Sequence, residues 1–419
     1  MPRSRILLLL ALLAVLTYLP AVTQPLMEDD FPNILLALTV GAPHALKELA
    51  AGALRLRATS EWLFYAMYHL FGMNPVPYYC VNIALHVLNT WLVYALGSWR
   101  PVGFGISVWA AAFFAVAEGH QEAIMWFSAC NELLMFLFGM SALICWLRFL
   151  ETRRLGYYAG AVISFVFCLV SKESAVIFAP LLLLPLFLNG HKGRDAAWLV
   201  PLLLLACGAA FLIYDSRTWS FRFQDRSFSL HAPFWLILPK NLLRMLWPWG
   251  LLGGGAVLWT GRLRRVAALG LLWMAISLVP YSFLVYSTEI PSRQTYLASA
   301  GLALIVAAGL LPIQERYAAE RRPLTAAVCV LVLAVNIGYL WTRKRRQFAE
   351  RAAPTEQLIA LALRTRGPIF IECFPRPGII AEAAVHLGAH QPGRKIFWDP
   401  AQARNAGATV TFCYPQRAR

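Results

Sequence analysis

Long apolar runs separated by short polar breaks fill the chain from its first residues to about position 341. The runs lie near 5–22, 78–96, 101–117, 123–147, 157–170, 174–188, 196–214, 234–258, 266–286, 295–312 and 323–341. A membrane-crossing helix needs about 20 mostly apolar residues, so this pattern predicts about eleven transmembrane helices. The run 234–258 contains Pro239, Pro248 and Gly253-Gly254-Gly255, which predicts a broken helix or two short ones. The first run, MPRSRILLLLALLAVLTYLP, is followed by no convincing small-x-small cleavage pattern and is read as an uncleaved first helix.

Two stretches depart from the apolar rhythm. Residues 23–77 are too long for a connector and form a long first external loop. Within it, 45–56 and 61–71 read as amphipathic helices along the membrane surface, with Trp62, Phe64, Tyr65 and Phe71. The second stretch, 342–419, reads as a small soluble segment. There Pro368–Phe374 has the pattern of a buried strand and Ile379–Leu387 that of a short helix. The expected fold is therefore an all-α polytopic membrane domain over 1–341 with a small C-terminal α/β tail over 342–419.

Composition strengthens this reading. The chain is 59% apolar and only 14% charged, with a mean hydropathy of +0.58, which excludes an ordinary soluble domain. Its net charge of +16 would suggest nucleic acid in a soluble protein. Here much of the excess sits in short loops, as the positive-inside bias requires, so no nucleic-acid partner is expected. Placing the N-terminus inside puts Arg3, Arg5, Arg100, Arg148, Arg153 and Arg154 in the cytoplasm and most loop carboxylates outside. One cluster opposes the bias: an odd number of spans leaves Arg343-Lys344-Arg345-Arg346 and the tail on the outer side. The eight cysteines form no CxxC motif, and most fall in apolar runs as small packing residues. Pairing is open only to Cys373 and Cys413, in the tail.

The candidate chemistry lies on one side of the membrane. Glu28-Asp29-Asp30 follows the first span, where carboxylates are costly unless they meet water, a partner or a substrate. Glu118-Gly119-His120-Gln121-Glu122 makes a tight turn, and Trp126 shares a helical face with Glu122. Asn131 and Glu132 follow. Lys172-Glu173, Arg222 with Asp225, and Glu289, Arg293 and Tyr296 complete the set. A single cluster reads first as a wetted loop, but Glu28-Asp29-Asp30 and Glu118-Gly119-His120-Gln121-Glu122 favour function, because short turns rarely need so many ionisable groups. Together they read as a polar cavity in which carboxylates act as base or hydroxyl anchor and cations grip phosphate. Asn82 and His86, four apart within a span, read first as a helix-packing pair.

Five passages together resemble the GT-C superfamily of glycosyltransferases that use polyprenyl-phosphate sugars. The branch most similar is that of the protein O-mannosyltransferases, the tetratricopeptide-linked O-mannosyltransferases and their bacterial relatives. The passages are the acidic residues 28–30, VNIALHVLNTWLVYAL at 81–96, EGHQEAIMWFSACNELL at 118–134, Ser171-Lys172-Glu173, and PSRQTYLASAGLAL at 291–304. Cys130-Asn131-Glu132 stands where the family carries an arginine-containing element, Tyr296-Leu297-Ala298-Ser299 lacks the family's proline, and the tail is too short for a tetratricopeptide array.

The resemblance implies inverting transfer of a sugar from a polyprenyl-phosphate donor to an acceptor hydroxyl, at the outer face of a bacterial inner membrane. It implies Asp29 or Asp30 as the catalytic carboxylate. Glu28, His120, Glu122, Lys172, Arg222, Arg293 and Tyr296 would bind substrate, with Lys172, Arg222 and Arg293 on the leaving phosphate. The acceptor is left open among glycan, lipid and protein. No cofactor is required, and whether the carboxylates hold Mg²⁺ or Mn²⁺ is also open. Two other classes share the pattern: a transporter or flippase for a lipid-linked sugar, and a non-catalytic membrane assembly protein. Convergence of the acidic triplet, His120, Glu122 and Arg293 within about 10–15 Å is what a single substrate pocket requires.

Overall fold

The computed structural model describes residues 2–39, 57–188, 193–219, 229, 231–284, 288–317 and 322–415. The predicted surface helix 45–56 and Arg222 both fall wholly outside them. Among the described residues five helical segments are long and apolar enough to cross a membrane: Arg3–Thr23, Pro75–Ser98, Phe127–Thr152, Arg264–Phe283 and Ala298–Glu315. Shorter apolar helices stand where four more spans were expected: Gly103–Val116, Leu155–Leu169, Glu173–Leu188 and Asp195–Phe211. The proline-containing stretch forms two helices, Phe234–Leu246 and Trp249–Thr260, which meet at Trp247-Pro248. The molecule is an integral membrane protein, all-α through its apolar part.

The bundle packs around one large core that includes Trp99, Trp146, Trp273, Phe114 and Phe136, all essentially buried. Small residues set the closest helix approaches, as membrane bundles require when lipid supplies no hydrophobic drive between helices. A Cβ on Gly270 would lie 2.5 Å from the Gly301 carbonyl oxygen, and one on Gly301 would lie 2.3 Å from the Gly270 carbonyl oxygen. The same bundle seats Gly253 against Ile305 and Gly309. Backbone therefore meets backbone where helices Trp249–Thr260 and Arg264–Leu278 cross helix Ala298–Tyr317.

Beyond the last apolar helix, Arg322–Tyr339, the chain continues through helix Arg345–Arg364 into the tail. The tail holds a three-stranded parallel sheet in the order β2-β1-β3, with β1 Ile369–Cys373, β2 Ile396–Phe397 and β3 Val410–Cys413. Helix Gly378–Ala383 packs on it, and Ile369, Ile371, Leu358, Val385 and Phe412 fill its core. Cys373 and Cys413 are joined by a disulfide. A second cluster ties this tail to the first loop: Phe31, Ile34 and Ala37 pack with Phe64 and Met67 of helix Ala58–Phe71 and with Ala383, Ala384 and Leu387. The tail and the acidic triplet thus share one face of the molecule.

Gly301→Ala should lower the melting temperature of the detergent-solubilised protein, because the added carbon meets backbone rather than a yielding side chain. Overpacking of this kind costs about 1–3 kcal/mol or more. Gly254→Ala, where nothing lies within 4 Å, is the matched control and should leave the melting temperature within error of wild type.

Candidate active site

The site grows from a turn. After the first helix the chain passes through Met27, and the Asp30 amide donates to the Met27 carbonyl at 2.9 Å while the Met27 amide donates to Asp30 Oδ2 at 2.9 Å. Within this turn Glu28 adopts the left-handed region, at φ 47°. Helix 30–39 starts immediately afterwards, and the Asp29 carbonyl accepts from the Asn33 amide. Acidic residues at a helix start are favoured by the unpaired amides there. The turn sends three consecutive carboxylates into three different environments.

Asp30 points inward and is fully buried. Its Oδ1 accepts from the Ser128 amide at 2.7 Å and from the Ser128 hydroxyl at 2.6 Å. Asn33 donates to that same hydroxyl at 3.0 Å. Burial pushes Asp30 up to about 7, against the pull of these donors. Asp30 therefore fastens the first loop to the 118–134 segment.

Glu28 is also buried, but among cations. Arg351 Nη2 lies 2.5 Å from its Oε2, and Arg376 Nη2 lies 2.5 Å from its Oε1. The same Arg351 reaches across to Glu122 at 3.1 Å. Glu122 in turn accepts from the Ser292 hydroxyl and the Arg293 amide, both at 3.2 Å, and stands 3.6 Å from the Arg293 guanidinium. Burial alone would raise the Glu122 carboxyl, but Arg293 and Arg351 outweigh it and hold it below the ordinary range. Both guanidiniums stack on the Trp126 ring, at 4.9 Å for Arg293 and 4.8 Å for Arg351.

Asp29 is the remaining carboxylate. Its side chain is exposed and makes no hydrogen bond or ion pair among the described residues. Although solvent reaches it, the surrounding protein desolvates it, and this together with the Glu28 charge raises it above the ordinary 3.8. Arg293, Arg351 and Arg57 oppose that rise without reversing it.

A cavity of about 550 Å³ adjoins the arginine network. Glu122 and Arg351 form part of its wall, Phe113, Trp247 and Leu302 give it an apolar lining, and Arg244 and Lys344 add positive charge. Arg244 is committed to Glu289 and to the Ile290 carbonyl. Lys344 donates to Gln347 at 2.9 Å and pairs with no carboxylate within salt-bridge distance among the described residues. Glu118 also lines the cavity, and burial raises its carboxyl while Lys344 and Arg244 pull it down.

The other expected site residues stand apart from this surface. His120 is buried, with Nε2 against the Ser299 hydroxyl at 2.5 Å and its ring 4.5 Å from that of Tyr296. Tyr296 is buried below it, its hydroxyl 2.8 Å from His86 Nδ1 and 3.3 Å from Asn89. His86, Phe114, His120 and Tyr296 form one aromatic cluster under the site. Asn82 donates to the Ile124 carbonyl at 3.1 Å. Lys172 is buried in an ion pair with Glu132, which also accepts from the Tyr281 hydroxyl at 3.2 Å, while Glu173 pairs with Arg57 at 3.1 Å. The structure thus brings Glu28, Glu122 and Arg293 into one network, places Asp29 at its edge, and leaves Lys172 in a separate neutralised cluster.

Sequence reasoning missed Arg351, Arg376 and Lys344. Lys344 did leave a signal, since it belongs to the basic cluster that opposed the charge bias. Among the described residues no three His, Cys, Asp or Glu side chains converge on a common point. Any cation entering here would find Asp29 as the carboxylate not already paired or hydrogen-bonded in the triplet.

Comparison with known proteins supplies the fold's setting. No family model matches the chain. It is 25% identical over 295 residues to Protein O-mannosyl-transferase F38B6.6 of Caenorhabditis elegans, covering 60% of this chain and 41% of that protein. It is 29% identical over 106 residues to Protein O-mannosyl-transferase Tmtc1 of Drosophila melanogaster, covering 25% of this chain and 12% of that protein. The structure matches the archaeal oligosaccharyltransferase AglB of Archaeoglobus fulgidus, solved with an inhibitory peptide and a dolichol-phosphate. That match has a TM-score of 0.53 at 13% identity, over 95% of this chain and 64% of that one. An Archaeoglobus fulgidus oligosaccharyltransferase solved with Zn and sulfate matches with the same TM-score at 14% identity, over 94% and 62%. The chain therefore spans less than two thirds of the length of each of these proteins. It has a GT-C-like membrane fold, with low-identity similarity to animal protein O-mannosyl-transferases.

Proposed function

We propose that the protein transfers a sugar, with inversion, from a polyprenyl-phosphate donor to an acceptor hydroxyl at the extracytoplasmic face of a bacterial inner membrane. The observation that carries this reading is Asp29: an exposed carboxylate, unpaired among the described residues, beside a braced arginine network whose Arg351 and Glu122 form part of a cavity wall. The fold match to an oligosaccharyltransferase solved with dolichol-phosphate supports a lipid-linked donor. The disulfide supports the outward orientation, since disulfides persist in oxidising compartments and the tail shares a face with Asp29.

In this mechanism the donor's phosphate lies in the cavity near Arg351, Lys344 and Arg244, with the first isoprene units along Phe113, Trp247 and Leu302. Asp29 takes the proton of the acceptor hydroxyl as its oxygen bonds to the sugar's anomeric carbon. The bond from that carbon to the phosphate oxygen breaks, and the lipid phosphate leaves with the electron pair into the cationic wall. One displacement inverts the anomeric centre, so no covalent enzyme intermediate is needed. Glu122 and Glu28 hold the arginines, and Arg293 flanks the acceptor side.

Incubating the purified protein with a panel of radiolabelled polyprenyl-phosphate sugars and candidate acceptors tests the reading. Asp29→Asn should reduce turnover about 10²–10⁴-fold, the scale of a lost general base, while leaving the melting temperature unchanged. Asp30→Ala should lower both together, because it strands buried amides at about 1–3 kcal/mol each. Wild-type turnover in Asp29→Asn would eliminate the proposed base.

The pH dependence has a definite sign. A base must be ionised to act, so the acid limb of kcat/KM should lie above the ordinary aspartate value of 3.8. Glu28→Gln removes a neighbouring negative charge that raises Asp29, so the limb should shift to lower pH. A limb that stays in place or moves upward in this variant contradicts the assignment of Asp29.

A further inference from the structure

The tail meets the site through a cation as well as through packing. Arg376 follows β1 by three residues, in the turn before helix Gly378–Ala383. Its guanidinium reaches the buried Glu28 at 2.5 Å, on the carboxylate oxygen not engaged by the closest Arg351 contact. Three features fix where Arg376 stands. The Cys373–Cys413 disulfide ties the end of β1 to the end of β3, and the Tyr414 amide donates to the Cys373 carbonyl at 3.0 Å. Ala383, Ala384 and Leu387 seat on Phe31 and Ile34 of helix 30–39. A Cβ on Gly388 would lie 3.4 Å from Phe31, so the fit there is close. The tail thus grips both ends of the turn that carries Asp29, at Glu28 before it and at helix 30–39 after it.

We propose that the C-terminal sheet module is a working part of the site and that Arg376 is a positioning residue. It clamps Glu28 in its left-handed conformation and thereby sets where the Asp29 carboxylate stands. Glu28 carries φ 47°, a conformation that a non-glycine residue holds only when its surroundings impose it. Arg351 reaches both Glu28 oxygens, with its Nε donating to Oε1 at 3.2 Å, and Arg376 adds a second, closer cation on that Oε1 at 2.5 Å. The catalytic half of this proposal rests on the reading of Asp29 given above, whereas the mechanical half does not.

The test uses the full-length protein in nanodiscs and two separate readouts: kcat and KM for donor transfer, and hydrogen exchange of the amides of residues 27–33. Arg376→Ala should lower kcat at least tenfold with KM for the donor changed less than threefold, and should speed exchange at 27–33. Arg376→Lys should recover a substantial part of kcat, as a point charge still reaches Glu28. Glu28→Gln combined with Arg376→Ala should be no slower than the worse single variant. Reduction of the wild-type protein with dithiothreitol, which needs no substitution, should speed the same amides to a smaller degree. Unchanged exchange at 27–33 both in Arg376→Ala and after reduction overturns the clamp. If Asp29→Asn turns over donor like wild type, the catalytic reading has failed and the exchange readout alone decides the mechanical claim.

Discussion

The arginine at position 351 is the interaction on which the site depends. It joins Glu28 at the end of the first external turn to Glu122 on the loop between two spans, and it lies on the Trp126 ring. Arg351 lies more than 300 residues from Glu28 and more than 200 from Glu122 in the chain, yet it pairs with both. Burying a carboxylate such as Glu28 costs several kcal/mol unless it is paired and hydrogen-bonded, so the network stands or falls as a unit. Removing the arginine would leave Glu28 to Arg376 and Glu122 to Arg293 alone, and would break the link between the two carboxylates. With the arginine in place both acids are paired, while Asp29 makes no ion pair among the described residues.

That division explains how a run of three acids is useful. The turn imposes different directions on adjacent side chains: Asp30 is spent on holding Ser128, Glu28 on holding two arginines, and Asp29 on nothing protein-bound. The flanking residues carry the structural and ionic contacts, which leaves the middle one exposed and unpaired among the described residues. Arg351 also lines the cavity, whereas the exposed Asp29 is not among the residues of its wall.

Much of the fold was legible because lipid demands continuous apolar helices. The broken character of 234–258 followed from Pro239 and Pro248, and the structure makes two helices there. The link between the acidic triplet and the 118–134 block was legible as a shared side of the membrane, though not as the Asp30–Ser128 contact. Arg351 and Arg376 were not legible, since an ion pair spanning more than 300 residues leaves no periodicity and sits in a tail that reads as a separate segment. Lys172 looked like a phosphate ligand because its partner, Glu132, lies 40 residues away on the first turn of another helix. Tyr296 and His120 looked polar in sequence, yet their hydrogen-bonding groups are turned toward His86, Asn89 and Ser299 inside the bundle. The basic cluster 343–346 was visible as an exception to the charge bias, and one of its members, Lys344, lines the cavity.

The central claim is that one arginine-braced wall separates a lipid-phosphate seat from a free catalytic aspartate. An experimental structure with a non-hydrolysable polyprenyl-phosphonate sugar tests it most directly. The account predicts the phosphonate against Arg351 and Lys344, with Asp29 facing the anomeric carbon from the side opposite the phosphonate. A headgroup bound outside this cavity, or one with Asp29 on the same side as the phosphonate, would contradict it.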